Sequence, residues 1–437
     1  MKKRTLQLLL LSCISSMGAM GQIDCSTSTK LVCQIPFSTG VLNRAGSSVT
    51  GANSVAAGFN SAIATQVSQL PLASSSSGTV VLISNGVPQT YNNLGPILTD
   101  RASTVGKHHL FLSFTASQFV FTDIDGIPLG NVPFSYSAVG CPSSVPPSQC
   151  TVTTPGSSTV SIKEDLDIHF KINQYVAIAT YGVMDKLDVS MVLPIERVSI
   201  GTSSFDTQEF IVDNTSNVGQ GPFPGQPISS RGIASGIGDI LFAAKYIVKS
   251  EERGTFSVGL NMRTPTGDAR NYLGSGAWGT NPYAVFSYVS RVSPHVRLGY
   301  QWNSETELNP NLVRPGSNLA LPGGLQYDVG ADWAWTKKLT VAGDLMGNQY
   351  LNAPRLTPSS TTLTYENTLA AQPPPTTTVH LGTVTSISSS YWINDISTGV
   401  KWNPYRELIL TGNVLFQLNN VGMRSRPTPL VGISYKF

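Results

Sequence analysis

Between Gly238 and Met262 the sequence reads GDILFAAKYIVKSEERGTFSVGLNM. Ile240, Phe242, Ala244, Tyr246 and Val248 share one parity, with Asp239 and Lys245 on the other. After the polar break Lys249-Ser250-Glu251-Glu252-Arg253-Gly254, apolar residues resume at Phe256, Val258, Leu260 and Met262, alternating with Ser257, Gly259, Asn261 and Arg263. Successive side chains of a strand point to opposite faces, so period-two alternation on both sides of a tight polar turn predicts a β-hairpin with one greasy and one wet face.

The pattern recurs, and it predicts twelve strands near 107–122, 160–182, 186–200, 237–249, 254–265, 280–291, 295–304, 323–335, 338–350, 385–402, 406–418 and 428–437. The connections alternate between short (183–186, 250–253, 292–294, 336–337, 403–405) and long (123–159, 201–236, 266–279, 305–322, 351–384, 419–427). Short turns on one side and long loops on the other are the mark of an antiparallel barrel in a bacterial outer membrane. An apolar band of about 25 Å crossed at ~40° tilt needs roughly ten residues per strand, which the predicted strands supply. The fold class expected is therefore all-β, a transmembrane antiparallel barrel. Its strand count becomes fourteen if the Asn85-Gly86 hairpin at 79–91 joins the wall.

Only 12% of the 437 residues are charged against 41% hydrophobic, well below the ~25% charge of ordinary soluble domains. Lys2, Lys3 and Arg4 ahead of Leu8–Leu11 and a small-residue stretch form a secretory signal over 1–21. Leu10-Leu11-Ser12-Cys13 also resembles a lipoprotein processing site, which would place a lipid on Cys13. The signal carries three positive and no negative charges, so the net +3 of the whole chain becomes 0 after its removal. A basic surface for nucleic acid is thereby excluded. The four remaining cysteines fall as local pairs, Cys25 with Cys33 and Cys141 with Cys150, and are expected as disulfides in an oxidising compartment.

Residues 22–106 are rich in Ser, Thr, Gly and Ala, with helical spacing at Val55, Phe59, Ile63 and Val67. They are expected to form a plug or periplasmic cap ahead of a barrel at 107–437. The polar parity of the strands would line the lumen with Asp165, Asp167, His169, Lys171, Glu196, Asp239, Lys245, Arg263, Arg297, Asp328, Asp332, Asp344 and Lys401. Pro194 interrupts a strand that has no sheet edge to sit on. It marks either a bulge near the rim or a lateral gate in the wall. Aromatic residues cluster beside turns (Tyr181, Tyr246, Tyr283, Trp302, Trp333, Trp335, Tyr350, Trp392, Trp402, Tyr405), as at a membrane–water boundary. The C-terminal strand places Val431, Ile433, Tyr435 and Phe437 on one face. It resembles the signal read by the outer-membrane barrel assembly machinery, carried by Tyr435 and Phe437, with Leu430 standing where a polar residue is usual.

Several stretches resemble outer-membrane transporters associated with the meta-cleavage pathway of phenol degradation, in the style of FadL-type carriers. They are Gly95-Pro96-Ile97-Leu98 with Arg101, Thr180 to Ser190, Gly238-Asp239-Ile240, Pro265-Thr266-Gly267-Asp268, Leu273-Gly274-Ser275-Gly276, and Ser293-Pro294-His295-Val296 with Gly299-Tyr300. The resemblance covers roughly 90–303 and the end of the chain. It implies passive passage of small hydrophobic or aromatic solutes, and a lipid bilayer as partner. The FadL hatch Asn-Pro-Ala is missing, and twelve strands replace that family's fourteen.

Other motifs carry less. Gly274-Ser275-Gly276-Ala277-Trp278-Gly279 fits a dinucleotide fingerprint but opens no helix, so a flexible external loop is expected. Asp123-Ile124-Asp125-Gly126 lacks the later ligands of a calcium loop and reads as a turn. His169 beside Asp165 and Asp167 is the one arrangement that would suit a lipase-like barrel enzyme. The chain is expected to be no enzyme and to need no cofactor or metal. A general porin for polar solutes is the other alternative.

Overall fold

The computed structural model describes residues 29–34, 49–50, 52–68, 70–71, 80–84, 87–91, 93–142, 144–146, 149–227, 229–306, 308, 320–369 and 375–437. The expected signal at 1–21, Cys13 and Cys25 lie outside them. Twelve antiparallel strands form a closed barrel: β1 (Leu110–Ile124), β2 (Ser158–Met184), β3 (Leu187–Asp213), β4 (Leu241–Ser250), β5 (Gly254–Arg263) and β6 (Gly279–Tyr288). They continue as β7 (Val292–Asn303), β8 (Gly324–Ala334), β9 (Leu339–Asn367), β10 (Thr376–Tyr405), β11 (Leu408–Gln417) and β12 (Thr428–Lys436). β12 closes the wall on β1, with Ile433 opposite Phe114 and Tyr435 opposite Leu112. All twelve strands read from the alternation are present. The 80–84 and 87–91 segments pair only with each other in a separate two-stranded sheet, so the wall count is twelve and not fourteen.

The hairpin at 238–262 pairs as its parity requires, Phe242 against Met262 and Tyr246 against Val258. Its greasy residues face outward, and so do those of the other strands: Leu112, Phe114, Met191, Phe256, Leu260, Phe286, Leu298, Val329, Val400 and Val431 are all exposed. Such a continuous apolar exterior would be an aggregation liability in water. Along β7 it runs from Val292 to Trp302, which at ~3.3 Å per residue and ~40° tilt is about 25 Å, the height of an outer-membrane apolar band. Tyr181, Tyr246, Trp333, Trp335, Trp402 and Tyr405 rim it at the short-turn end, whereas Tyr283 and Tyr350, expected at the same boundary, are on the inward parity and buried.

Four strands outrun that band. β2, β3, β9 and β10 have 27, 27, 29 and 30 residues, so much of the sequence expected as external loop at 201–236 and 351–384 is ladder instead. Accessory strands extend this outer wall: Val132–Gly140 pairs with β2, while Ser229–Ile237 and Val218–Pro224 pair with β3. Above the band the outer surface meets water, so Ser- and Thr-rich strands such as Thr376–Ser390 carry no greasy stripe to announce them.

The interior of this outer portion is predominantly apolar, with Glu164 and Gln174 buried among the greasy side chains. Phe119, Phe121, Phe170, Ile172, Val198 and Ile200 face inward, joined by Phe134 and Tyr136. Helix α1 (Ala52–Val67) lies within, burying Phe59 and Ile63 completely; each contributes roughly 1.5–3 kcal/mol of transfer free energy. A 3-10 turn, Leu31–Cys33, packs into the same core. Cys141 and Cys150 form the expected disulfide, with Cα atoms 5.8 Å apart, and Cys33 is also disulfide-bonded.

This inversion corrects part of the expected lumen. On β2 the buried parity is Glu164, Leu166, Ile168, Phe170, Ile172 and Gln174. Asp165, Asp167, His169 and Lys171 therefore point out of the barrel, His169 into solvent at 82% side-chain exposure. They are polar because that part of β2 stands above lipid.

Candidate functional site

The remaining nine charged residues do face inward. Glu196, Asp239, Lys245, Arg263, Asp328, Asp332, Asp344 and Lys401 are buried, and Arg297 lies beside them. At the short-turn end Lys245, Asp344 and Lys401 receive a segment with no secondary structure of its own. Residues 93–105 cross the lumen, with Leu94, Ile97, Thr99 and Ala102 almost completely buried. An irregular backbone at membrane depth must find its hydrogen bonds on the wall, and this one does. The Ala102 amide donates to Ser287 Oγ at 2.9 Å, and its carbonyl accepts from Ser257 Oγ at 2.5 Å. Lys245 Nζ donates to the Arg101 carbonyl at 2.9 Å, and Lys401 Nζ to those of Leu94 and Pro96. The Leu94 and Val105 amides reach Thr340 Oγ1 and Asp188 Oδ2. Thr99 Oγ1 sits 2.8 Å from His295 Nε2 and 3.1 Å from Asp344 Oδ1, and His295 Nε2 is 2.8 Å from the same carboxylate oxygen. Ile97 packs on Leu430 and Ala342. That contact accounts for leucine where a polar residue is usual.

Between this crossing and the outer core lies a chamber of about 210 Å³, capped from outside by Ser68, Leu70 and Pro71 and floored by Leu98, Thr99 and Asp100. One wall is apolar, from Val192, Leu241 and Ala243. The other carries Asn261, Asn281, Gln301, Gln326 and Asn348, with Arg263, Arg297, Asp328 and Asp395. The charges are mostly paired: Arg297 holds Asp328 at 2.9 Å, and Arg424 holds Asp395 at 2.6 Å. Arg263 lies 3.7 Å from Asp239 and donates to Asn303 Oδ1 at 2.7 Å.

Pro194 faces inward at a change of partner. Up to Val192, β3 pairs with β4; from Ile195 it pairs with Ser229–Ile237. The Pro194 carbonyl accepts from the Gly238 amide at 2.9 Å. In an antiparallel strand the nitrogen points to the same side, so the missing N–H falls on the break at 238–240 and costs no ladder bond. The β2 side is unbroken, with Val176 opposite Pro194. The break is covered by the loop that follows β5. Asp239 accepts from the Gly267 amide and from the amide and hydroxyl of Ser275. Ser275 and Ala277 are buried, so the glycine-rich stretch is a docked loop rather than a flexible one.

Asp125 and Gly126, at φ +52° and +81°, make the two-residue turn of a hairpin in which Ile124 faces Ile127. Asp125 then accepts from Arg355 Nε and from the Leu356 and Gly422 amides, stapling three outer segments. Among the described residues no group of three or more His, Cys, Asp or Glu is placed to hold a metal ion. Tyr435 and Phe437 lie at the short-turn end, their rings 4.6 Å apart.

A closed twelve-stranded wall with a greasy exterior, a polar inner lumen and short turns at one end defines a bacterial outer-membrane β-barrel. Residues 151–352 match the family model described as "Putative MetA-pathway of phenol degradation", the family the sequence resembles. Among solved structures, the chain is similar to an outer-membrane channel from Pseudomonas putida F1 (10% identity, 77% of this chain and 98% of that one, TM-score 0.41). It is also similar to a FadL homologue from Pseudomonas aeruginosa (9%, 76% and 90%, TM-score 0.29) and to the toluene transporter TodX from Pseudomonas putida (9%, 77% and 90%, TM-score 0.24). No curated protein matches the chain in sequence.

Proposed function

We propose that the protein is a passive channel that carries small hydrophobic, chiefly aromatic, compounds across the outer membrane, without covalent chemistry or a cofactor. The observation that carries this reading is the polarity gradient of the interior. A solute meets an aromatic outer core at Phe119, Phe121, Phe134 and Phe170, then a small two-faced chamber, then the hydrogen-bonded crossing of residues 93–105. An apolar entrance recruits apolar solutes, and a filled lumen passes no general flux of water and ions. A wide polar porin would need the reverse. Residues 22–106 act as the plug, the crossing segment being their innermost part. Solute leaves either inward past that segment or sideways at the break beside Pro194. Both His169 and its neighbour Asp167, at 3.2 Å, stand on the outer surface rather than in a cleft, which leaves the lipase-like alternative without an active-site geometry.

The test uses purified full-length protein in planar bilayers and liposomes, beside a variant lacking 22–106. The expected result is a low resting conductance that rises on deletion, together with carrier-dependent entry of an aromatic solute and none of arabinose. A large steady conductance in the intact protein, unchanged by the deletion, would replace this reading with the porin.

A further inference from the structure

We infer that the mid-lumen chamber is a binding site for small neutral ring compounds bearing a hydroxyl or carbonyl group, in preference to bare hydrocarbons. This deepens the reading of the protein as a passage for aromatic solutes and rests on it.

Five carboxamides stand on five consecutive strands, at or near one level: Asn261 faces Asn281 across β5 and β6, and Gln326 faces Asn348 across β8 and β9. Gln301 fills the strand between, one ladder step from Gln326, whose own partner there is Gly299. Three of the five are held by neighbours. Asn281 Nδ2 donates to Gln326 Oε1 at 2.8 Å, and its Oδ1 accepts from Arg297 at 2.8 Å. Gln301 donates to the Trp302 carbonyl and to Asn303. The other two, Asn261 and Asn348, line the chamber, and among the described residues their carboxamides have no side-chain partner. Each offers two N–H donors and one carbonyl acceptor.

The lining is thus chemically two-sided. Val192, Leu241 and Ala243 give a ring a dry surface to lie on, while Asn261 beside Ala243, or Asn348 four strands further round the wall, gives its substituent a donor and an acceptor. An uncharged amide pair does not favour an ion of either sign, and the paired charges nearby present no single-sign field. A bare hydrocarbon would strip water from both amides and return nothing, which is the penalty that makes amide-lined sites selective. The size also fits. An apolar cavity of about 150 Å³ holds benzene, so about 210 Å³ holds one substituted ring.

The experiment compares p-cresol with toluene, which differ by one hydroxyl, binding to the detergent-purified full-length barrel by calorimetric titration. Variants Asn261→Leu with Asn348→Leu, and the milder Asn348→Ala, are titrated in the same micelles. Retention of the unheated gel band shows that each variant is folded. One net hydrogen bond predicts p-cresol about threefold to tenfold tighter than toluene on the native chain, with the preference lost or reversed in the double variant and toluene binding undiminished. Equal or tighter toluene binding to the native chain overturns the inference while leaving aromatic passage intact. A preference for p-cresol that survives both variants overturns the assignment to this chamber. Binding of neither compound, with no accelerated aromatic entry into liposomes, overturns both readings together.

Discussion

Replacing Ala102 with Phe perturbs the innermost crossing without touching the barrel ladder. Ala102 has no exposed surface, and Tyr283 and Val285 of β6 close over it. A phenyl ring has nowhere to go there, and overpacking alone costs about 1–3 kcal/mol. Displacement also breaks the bonds to Ser257 and Ser287 and the bond from Lys245 to the Arg101 carbonyl. At about 0.5–1.5 kcal/mol for each neutral bond and 1.5–3 for the charged one, the segment loses roughly 2.5–6 kcal/mol of docking, a factor on the order of 10² to 10⁴ in its open population. The outward belt and the β5–β6 register are unaffected, so the folded barrel should still migrate as a compact unheated band. Single-channel recording in planar bilayers should show frequent large openings where the native chain shows few, and a protease added on the short-turn side should cut near residues 93–105. A folded Ala102→Phe barrel with native conductance and native protection would refute the idea that this segment blocks the lumen.

Pro194→Val adds an N–H at the break beside Gly238 and invites a continuous ladder there. If solute leaves sideways, aromatic uptake should fall severalfold with conductance unchanged, whereas unchanged uptake removes the lateral exit. Deleting Phe437 should lower the amount of assembled barrel in the outer membrane several-fold while leaving detergent refolding of purified chain intact; equal loss in both settings would make its role structural. Outside the membrane, partial burial pushes the Asp268 carboxyl up, but the hydrogen bond and charge of Lys30 at 2.7 Å outweigh it, and the net shift is downward. A lowered carboxyl pKa contributes stability above its unfolded value of about 3.9 and loses it as pH falls through the folded value. Proteolysis near residues 30–34 should therefore be slow at neutral pH and rise below about pH 4, and Lys30→Met should remove that dependence.

The wall was legible because its chemistry repeats every two residues, and an outward greasy stripe such as Phe256, Val258, Leu260 and Met262 can face only lipid or a core. Helix α1 was legible for the same reason at period 3.6, through Phe59, Ile63 and Val67. The crossing at 93–105 has no period, and its partners Asp188, Ser257, Ser287, His295 and Lys401 lie some 80 to 300 positions away. Gly95-Pro96-Ile97-Leu98 stood out only as a resemblance. The amide row shows in the sequence only as polar parity, because Asn261, Gln301 and Asn348 carry no charge to set them apart from the other polar positions of their strands. The four misplaced residues of β2 have a different cause: parity tells two faces apart, and only the surroundings say which is the inside.

Those surroundings leave a mark in the sequence once the register is known. Along the outward parity of β2, Tyr181, Ala179, Ala177 and Tyr175 give way to Asn173, Lys171, His169 and Asp167. Along that of β3, Val189, Met191, Leu193 and Ile195 give way to Arg197, Ser199 and Ser203. The two switches occur at one height, because Tyr175 faces Ile195 and Asn173 faces Arg197. A single plane at Tyr175–Ile195 therefore separates lipid from water on the outer surface. Inward the change is gradual: Asp188 and Ser190 lie well below this level, Val176, Ile178 and Val192 just below it, Gln174 and Glu196 at it, and Val198 and Ile200 above. Pro194 and the 238–240 break lie at that plane, where the wall changes partners and a greasy solute leaving the aromatic outer core first comes level with lipid.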